Sequence, residues 1–224
     1  MSPSLSPQTI QTILWLVLLI PSITVHEFAH GYAAFRLGDP TAKNAGRLTL
    51  NPIKSIDPFG SIILPLLMAI SGSGAIFGYA KPVPYNPMYF KNLRQGEIIT
   101  GFAGPASNFV LALVGAAFAW LAIPALAVSV SLGQALYLIG STLATTNLVL
   151  MFFNLIPIPP LDGSSIVPMF LSDAGVRKWY EMQRYAMVFL FAILLGVPYL
   201  FHVSPVGWYF SYTVEPVLRL LLPG

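Results

Sequence analysis

The stretch ITVHEFAHGY, residues 23–32, places two histidines and a glutamate inside a run of apolar residues. His26 and His30 are four positions apart, so both imidazoles lie on one face of a helix. Two imidazoles with this spacing can bind one zinc ion, and Glu27, next to that face, can act as general base on a water molecule. The HExxH pattern therefore predicts a hydrolytic metal site.

The same pattern also occurs in helices that bind no metal, where its polar side chains hydrogen-bond to neighbouring helices. Histidine and glutamate are rare and costly within a bilayer unless a partner compensates their polarity. A bound ion would offset that cost, so the membrane setting favours the metal site over three structural polar residues.

Composition supports this setting. The chain has 224 residues, of which 56% are hydrophobic and 8% are charged, whereas soluble domains carry about 25% charged residues. The high hydrophobic and low charged fractions therefore predict a polytopic membrane protein of the all-α class. The absence of cysteine excludes disulfides, thiolate metal ligands and cysteine nucleophiles.

The apolar runs predict about four transmembrane helices, since a helix needs roughly 20 apolar residues to cross the hydrocarbon. A proline- and glycine-rich segment before the second span is predicted to be re-entrant or β-like, because its unbroken apolar part is too short to cross. A C-terminal segment, broken by Pro216, is predicted to be interfacial or a short span. The predicted spans are residues 10–37, 98–123, 135–158 and 185–201, the re-entrant segment is 58–80, and the C-terminal segment is 205–222.

The basic residues predict an orientation. If residues 58–80 do not cross, ten of the eleven Lys and Arg residues fall on one side, and the positive-inside rule makes that side the cytoplasm. The N-terminus is then outside, and the site lies near the cytoplasmic side of the membrane. We expect a single membrane-embedded domain over 1–224, with a catalytic core of about 10–165 and no soluble module in the short connection after the second span.

A catalytic zinc ion needs a third protein ligand and one open position. His202 is predicted at the outer end of the fourth span, at the wrong depth, and Asp39 and Asp57 are predicted to be solvated in the charged cytoplasmic region. Asp162, in NLIPIPPLDG, follows the inward-running third span and lies at the depth of HEFAH, and Gly163 permits a close turn after it. Depth therefore selects Asp162, although a proline stop followed by a turn would also explain this motif.

Two amides near the inner ends of spans are candidate substrate-binding residues. Asn108 lies in FAGPASNFV, where Gly104 and Ala106 allow close helix packing, and Asn154 precedes Asp162. Such amides can bind an extended backbone or stabilise an oxyanion. The alternative is an interhelical hydrogen bond that holds the bundle together.

Together, HEFAH, GPASN and NLIPIPPLDG resemble the site-2 protease family of intramembrane zinc metalloproteases, in its compact prokaryotic branch without a PDZ domain. The resemblance implies one zinc ion bound by His26, His30 and Asp162, with Glu27 as catalytic base and Asn154 on the substrate. It implies hydrolysis of transmembrane segments of membrane-anchored proteins. Expected partners are such substrates and the lipid bilayer, without nucleic acid, and the oligomeric state is left open.

The resemblance also makes the stretch GYAKPVPYN, residues 78–86, a candidate strand edge for an unwound substrate. A plain proline-rich loop is the alternative. Two further functions compete with proteolysis, namely a metal transporter and an inactive scaffold. A transporter favours a second set of polar ligands towards the outer face, which the sequence lacks, and intact HExxH argues against the scaffold.

Overall fold

The computed structural model describes residues 6–55, 57, 60, 63 and 81–224. Regular structure within these residues is helical, and no strand occurs among them. Apart from Gly60 and Ile63, the segment 58–80 lies outside the described residues, so its re-entrant or β-like character stays a prediction.

The described part of the chain contains eight α-helices, six of which overlap the predicted apolar runs, whereas Thr41–Asn44 and Asp173–Gln183 lie outside them. Short 3-10 helices cover Pro52–Lys54, Pro87–Tyr89 and Asp162–Phe170, and a π-helical turn, Ala192–Gly196, joins the sixth and seventh helices. The α-helices are α1 (Pro7–Arg36), α2 (Thr41–Asn44), α3 (Leu93–Val128), α4 (Val130–Asn154), α5 (Asp173–Gln183), α6 (Ala186–Phe191), α7 (Val197–Phe201) and α8 (Pro205–Leu221).

Three of these helices, α1, α3 and α4, are long and apolar enough to cross a membrane. A fourth span results only if α5 and the helix 186–201, bent by 68° relative to each other, are counted as one. Helix α8 has 17 residues, which corresponds to about 25 Å and is shorter than a typical hydrocarbon core of about 30 Å. Three of the predicted spans thus have helices of sufficient length.

Large apolar side chains on α3 point outward. Val110 is 58% exposed and Leu121 is 55% exposed. A helix that is apolar on all sides fits a lipid environment, because its outer face would be unfavourable in water.

The chain divides into two compact units, Leu19–Gly104 on the one hand and Met1–Leu18 with Pro105–Gly224 on the other. In the latter unit, α3 and α4 pack with their backbones in close contact. A Cβ built on Gly115 would lie 2.7 Å from the carbonyl oxygen of Gly140, and one built on Gly140 would lie 2.6 Å from that of Gly115. Small residues allow this close helix contact.

The same unit buries a small apolar core between α3, α4 and α8, formed by Ala112, Leu148, Met151 and Val214. Two hydrogen bonds fasten α8 to the other helices. Trp120 Nε1 donates to the carbonyl of Leu221 at 2.8 Å, and Tyr209 Oη donates to the carbonyl of Phe152 at 3.1 Å. The C-terminal helix is therefore part of the packed unit.

Helix α4 ends at Asn154, earlier than the predicted span end at 158. Prolines at 157, 159 and 160 cannot continue a helix, because they lack the N–H and clash with the preceding turn. Gly163 then passes close to the end of α4, since a Cβ there would lie 2.5 Å from the carbonyl carbon of Leu155. The close turn predicted at Gly163 is present, and it leaves no room for a side chain at this position. Asp162 begins the 3-10 helix that follows.

In the unit Leu19–Gly104, the extended residues 81–86 lie against α1. A Cβ built on Gly31 would lie 2.9 Å from Cγ1 of Val83, and Val83 itself is buried. The glycine after His30 therefore allows this segment to approach the helix that carries HEFAH.

Candidate functional site

His26 and His30 face each other on consecutive turns of α1. Their Nε2 atoms are 3.0 Å apart, and the rings meet edge to face at 81°. Two nitrogens at ~2.05 Å from one tetrahedral zinc ion would be about 3.3 Å apart. The observed separation is within a few tenths of an ångström of that value, so the two imidazoles fit a shared metal ion.

The tautomer of His30 is set by the backbone of α3. Its Nδ1 lies 2.7 Å from the carbonyl oxygen of Thr100. Because a carbonyl only accepts hydrogen bonds, Nδ1 carries the proton, and in the neutral imidazole Nε2 then has the lone pair. This is the form in which a histidine binds a metal through Nε2, with the second nitrogen held by an outer partner.

Gly104, in the GPASN motif, lies directly against the imidazole pair. A Cβ built there would lie 2.6 Å from His26 Nε2 and closer still to His30 Nε2. No residue other than glycine fits without displacing the two nitrogens. The sequence predicted a packing role for this glycine, and the structure identifies the imidazoles as the groups against which it packs.

Glu27 is held by the backbone of the extended segment. Its Oε2 accepts a hydrogen bond of 2.9 Å from the N–H of Val83. The contact uses one of the two carboxylate oxygens, so a second oxygen is available to a water molecule. Glu27 thus has a defined orientation one residue away from the imidazole pair.

Asp39 differs from its sequence prediction. It was expected to be solvated, but it is fully buried. Its Oδ1 accepts from the N–H of Thr41 at 2.9 Å and from the Thr41 hydroxyl, and its Oδ2 accepts from the N–H of Asn86 at 2.6 Å. The expectation was wrong because backbone donors, which composition does not show, can satisfy a buried carboxylate as solvent would.

The remaining predicted site residues belong to the other compact unit. Asp162 is partly buried at the first position of its 3-10 helix. Asn154 donates from Nδ2 to the carbonyl of Leu150 in its own helix at 3.0 Å. The structure brings His26, Glu27 and His30 together, and the convergence of Asp162 and Asn154 on them stays a prediction.

Asn108 makes the interhelical hydrogen bond that the sequence left as an alternative. Its Nδ2 donates to Oδ1 of Asn147 at 2.8 Å, and both amides are fully buried. A role of Asn108 in substrate binding also stays a prediction. Asn147 was not identified from the sequence, although an amide within an apolar span was the available signal.

An apolar cavity of about 280 Å³ lies beside the segment that leads to Asp162. Its walls come from the end of α4, the proline-rich connection, the 186–201 helix and the start of α8. Phe153, Ile156, Leu161, Leu190 and Trp208 are among the lining residues. The cavity is large enough for an apolar side chain.

Comparison with known proteins gives a consistent result. A family model described as Peptidase family M50 matches residues 121–197. The chain is 39% identical over 207 residues to "Putative zinc metalloprotease YwhC" of Bacillus subtilis, covering 91% of this chain and 85% of the relative. It is 34% identical over 203 residues to "Putative zinc metalloprotease Rip2" of Mycolicibacterium smegmatis, covering 89% and 72%. No solved structure shows a significant match.

Gly104→Ala is expected to weaken zinc binding, because the added methyl group meets both Nε2 atoms. We expect a loss of about tenfold or more in affinity, the size of effect seen when the surroundings of metal ligands are disturbed. Zinc titration of purified metal-free protein, with a competing chelator, measures it. Ala106→Ser, at an exposed site on the same helix, is the control, and equal affinities of both variants would contradict the contact.

Proposed function

Because the chain belongs to peptidase family M50, the site-2 protease family of zinc metalloproteases, we propose that it hydrolyses peptide bonds within or next to the transmembrane segments of membrane-anchored proteins. The observation that carries this proposal is the HEFAH geometry. Two imidazole nitrogens lie 3.0 Å apart on a helix that is long and apolar enough to cross a bilayer. A site so placed gives access to substrates that are themselves in the membrane.

Zinc would be held by His26, His30 and Asp162. The imidazoles present their Nε2 atoms to one another, and a carboxylate completes a ligand set typical of catalytic zinc. Asp162 is the proposed carboxylate, since the sequence predicts that it follows the third span at the depth of HEFAH. When bound, zinc acts as a Lewis acid that activates water and polarises the scissile carbonyl.

Glu27 would be the catalytic base. It takes a proton from the attacking water and delivers it to the leaving amine of the substrate. The Val83 N–H fixes one carboxylate oxygen, so the other can be directed at the water. Orientation of this kind lowers the barrier because the reacting groups need not be ordered during the reaction.

The substrate would be bound as an extended backbone with apolar side chains. A helix shields its carbonyls by internal hydrogen bonds, so the cleaved stretch must unwind before attack. Asn154 would bind the exposed backbone. The apolar cavity next to the Asp162 segment supports this proposal, since its walls suit a side chain from a transmembrane helix.

The orientation follows from the charges. We place the N-terminus outside and the site near the cytoplasmic side of a prokaryotic cell membrane, because ten of eleven basic residues would then be cytoplasmic. Water would reach the site from that side.

Glu27→Gln should retain zinc and lose cleavage of a membrane-embedded reporter by at least about 100-fold, because the amide cannot accept the proton. Reporter cleavage in proteoliposomes and zinc content by mass spectrometry are the two readouts. Undiminished turnover with Gln at this position would remove Glu27 from its role.

Asp162→Ala should lower the zinc bound to purified protein, since one of three protein ligands is lost. Asp173→Ala removes an exposed aspartate from the start of α5 and serves as the control. Both are compared by zinc content after dialysis. Full occupancy in the Asp162 variant would reject this residue as a ligand.

The orientation can be tested by single-cysteine labelling, because the chain has no cysteine of its own. Ser131 is exposed at the start of α4, and Asn44 is exposed after α1. Each is replaced by cysteine in a separate variant, Ser131→Cys first and Asn44→Cys second. A membrane-impermeant maleimide added to intact cells should label the first variant and spare the second. The reverse pattern would show the opposite topology.

A further inference from the structure

The extended residues 81–86 are tethered at both ends. At the first end, the N–H of Lys81 donates to the carbonyl of Ser55 at 3.0 Å, and Nη2 of Arg47 donates to the carbonyl of Lys81 at 2.7 Å. At the second end, the N–H of Asn86 donates to Oδ2 of Asp39 at 2.6 Å. The N–H of Val83, between these tethers, donates to Glu27 at 2.9 Å.

Few other backbone N–H groups near Val83 could donate a hydrogen bond to Glu27. Residues 82, 84 and 87 are prolines, which have no backbone N–H. Val83 is therefore flanked on both sides by residues that cannot replace its hydrogen bond to Glu27. The position of the Val83 N–H depends on how the segment is held at its ends.

Asp39 is suited to hold one of those ends. It is fully buried, and both carboxylate oxygens accept hydrogen bonds. Hydrogen bonds from N–H groups to an ionised carboxylate are roughly twice as strong as neutral ones. The burial also shields this tether from competition by water.

We propose that Asp39 is a positioning residue for the reaction, which acts on Glu27 through the segment 81–86 and the N–H of Val83. Loss of the Asp39 carboxylate releases the Asn86 end of the segment, so the Val83 N–H moves and Glu27 loses its fixed orientation. This inference rests on the proposed function, because it assumes that Glu27 is the catalytic base. In this role Asp39 needs no contact with metal or substrate.

A purely structural role of Asp39 makes a different prediction. The same carboxylate also binds Thr41 at the start of α2. If this local turn were its only task, loss of the Thr41 hydroxyl would resemble loss of the carboxylate. Thr41→Val removes that hydroxyl donor and leaves the bond to Asn86, so it is the matched control for Asp39→Ala, which removes both acceptor oxygens.

The first measurement is kinetic, in proteoliposomes with a membrane-embedded reporter. Asp39→Ala is expected to lower kcat by about 10- to 100-fold, the cost of a misplaced catalytic group, with KM and zinc content unchanged. Thr41→Val should keep kcat within about threefold of the parent protein, since the hydrogen bond that it removes lies away from the segment 81–86.

The second measurement, amide hydrogen exchange of the zinc-loaded protein, does not depend on activity. Within residues 82–87, only Val83, Tyr85 and Asn86 have backbone N–H groups, so a peptide over this stretch reports on few amides. Asp39→Ala should accelerate their exchange and Thr41→Val should not. Arg47→Met should accelerate it from the other end, whereas Arg47→Lys keeps a donor and should restore protection. The Arg47 pair tests the tethering of the segment even if Asp39→Ala folds poorly.

The measured activities and exchange rates distinguish a failure of the Asp39 positioning role from a failure of the proposed function. Glu27→Gln is assayed alongside, and if it cleaves normally the proposed function fails. If Glu27→Gln is inactive while Asp39→Ala keeps both its kcat and its slow exchange, the positioning role alone is overturned. Equal kcat losses in Thr41→Val and Asp39→Ala, or an unchanged exchange rate in Arg47→Met, would likewise overturn it.

Discussion

Two imidazole nitrogens 3.0 Å apart on an apolar helix form the constraint on which the other features of the site depend. Two lone pairs repel at this distance unless a proton or a metal ion lies between them. The Thr100 carbonyl fixes the proton of His30 on Nδ1, so His30 Nε2 faces His26 with a lone pair. Gly104 adds no side chain that would fill the space beside the pair. The surroundings therefore keep His30 Nε2, and the space beside the pair, available to a shared ion.

Much of the fold could be predicted from the sequence, because a bilayer requires long apolar helices. Helices α1, α3 and α4 follow the predicted runs, with ends that differ by several residues. The end of α4 was placed too late, since apolar Ile156 and Ile158 continue the hydropathy pattern while the prolines stop the helix. The His–Glu–His spacing was also sufficient to place three side chains on one part of α1, since helical periodicity fixes them locally.

Contacts between segments distant in the chain could not be predicted in this way. Composition marks Asp39 as a charged loop residue, but backbone N–H groups from Thr41 and Asn86 satisfy its buried carboxylate. The partners of Glu27 and His30 are main-chain atoms of Val83 and Thr100, and a main-chain group has no signature in residue type. Asn108 was a candidate for substrate binding, with an interhelical hydrogen bond as the alternative. Its bond to Asn147 depends on the register of two helices, which periodicity does not fix.

We propose that His26, His30 and Asp162 bind one hydrolytic zinc ion. Anomalous diffraction at the zinc edge, from crystals of the zinc-loaded protein, would locate this ion. We expect a single strong peak about 2.0–2.2 Å from Nε2 of both histidines and from a carboxylate oxygen of Asp162. A peak that has no imidazole neighbours, or an imidazole-bound ion with the Asp162 carboxylate far outside its ligand shell, would contradict it.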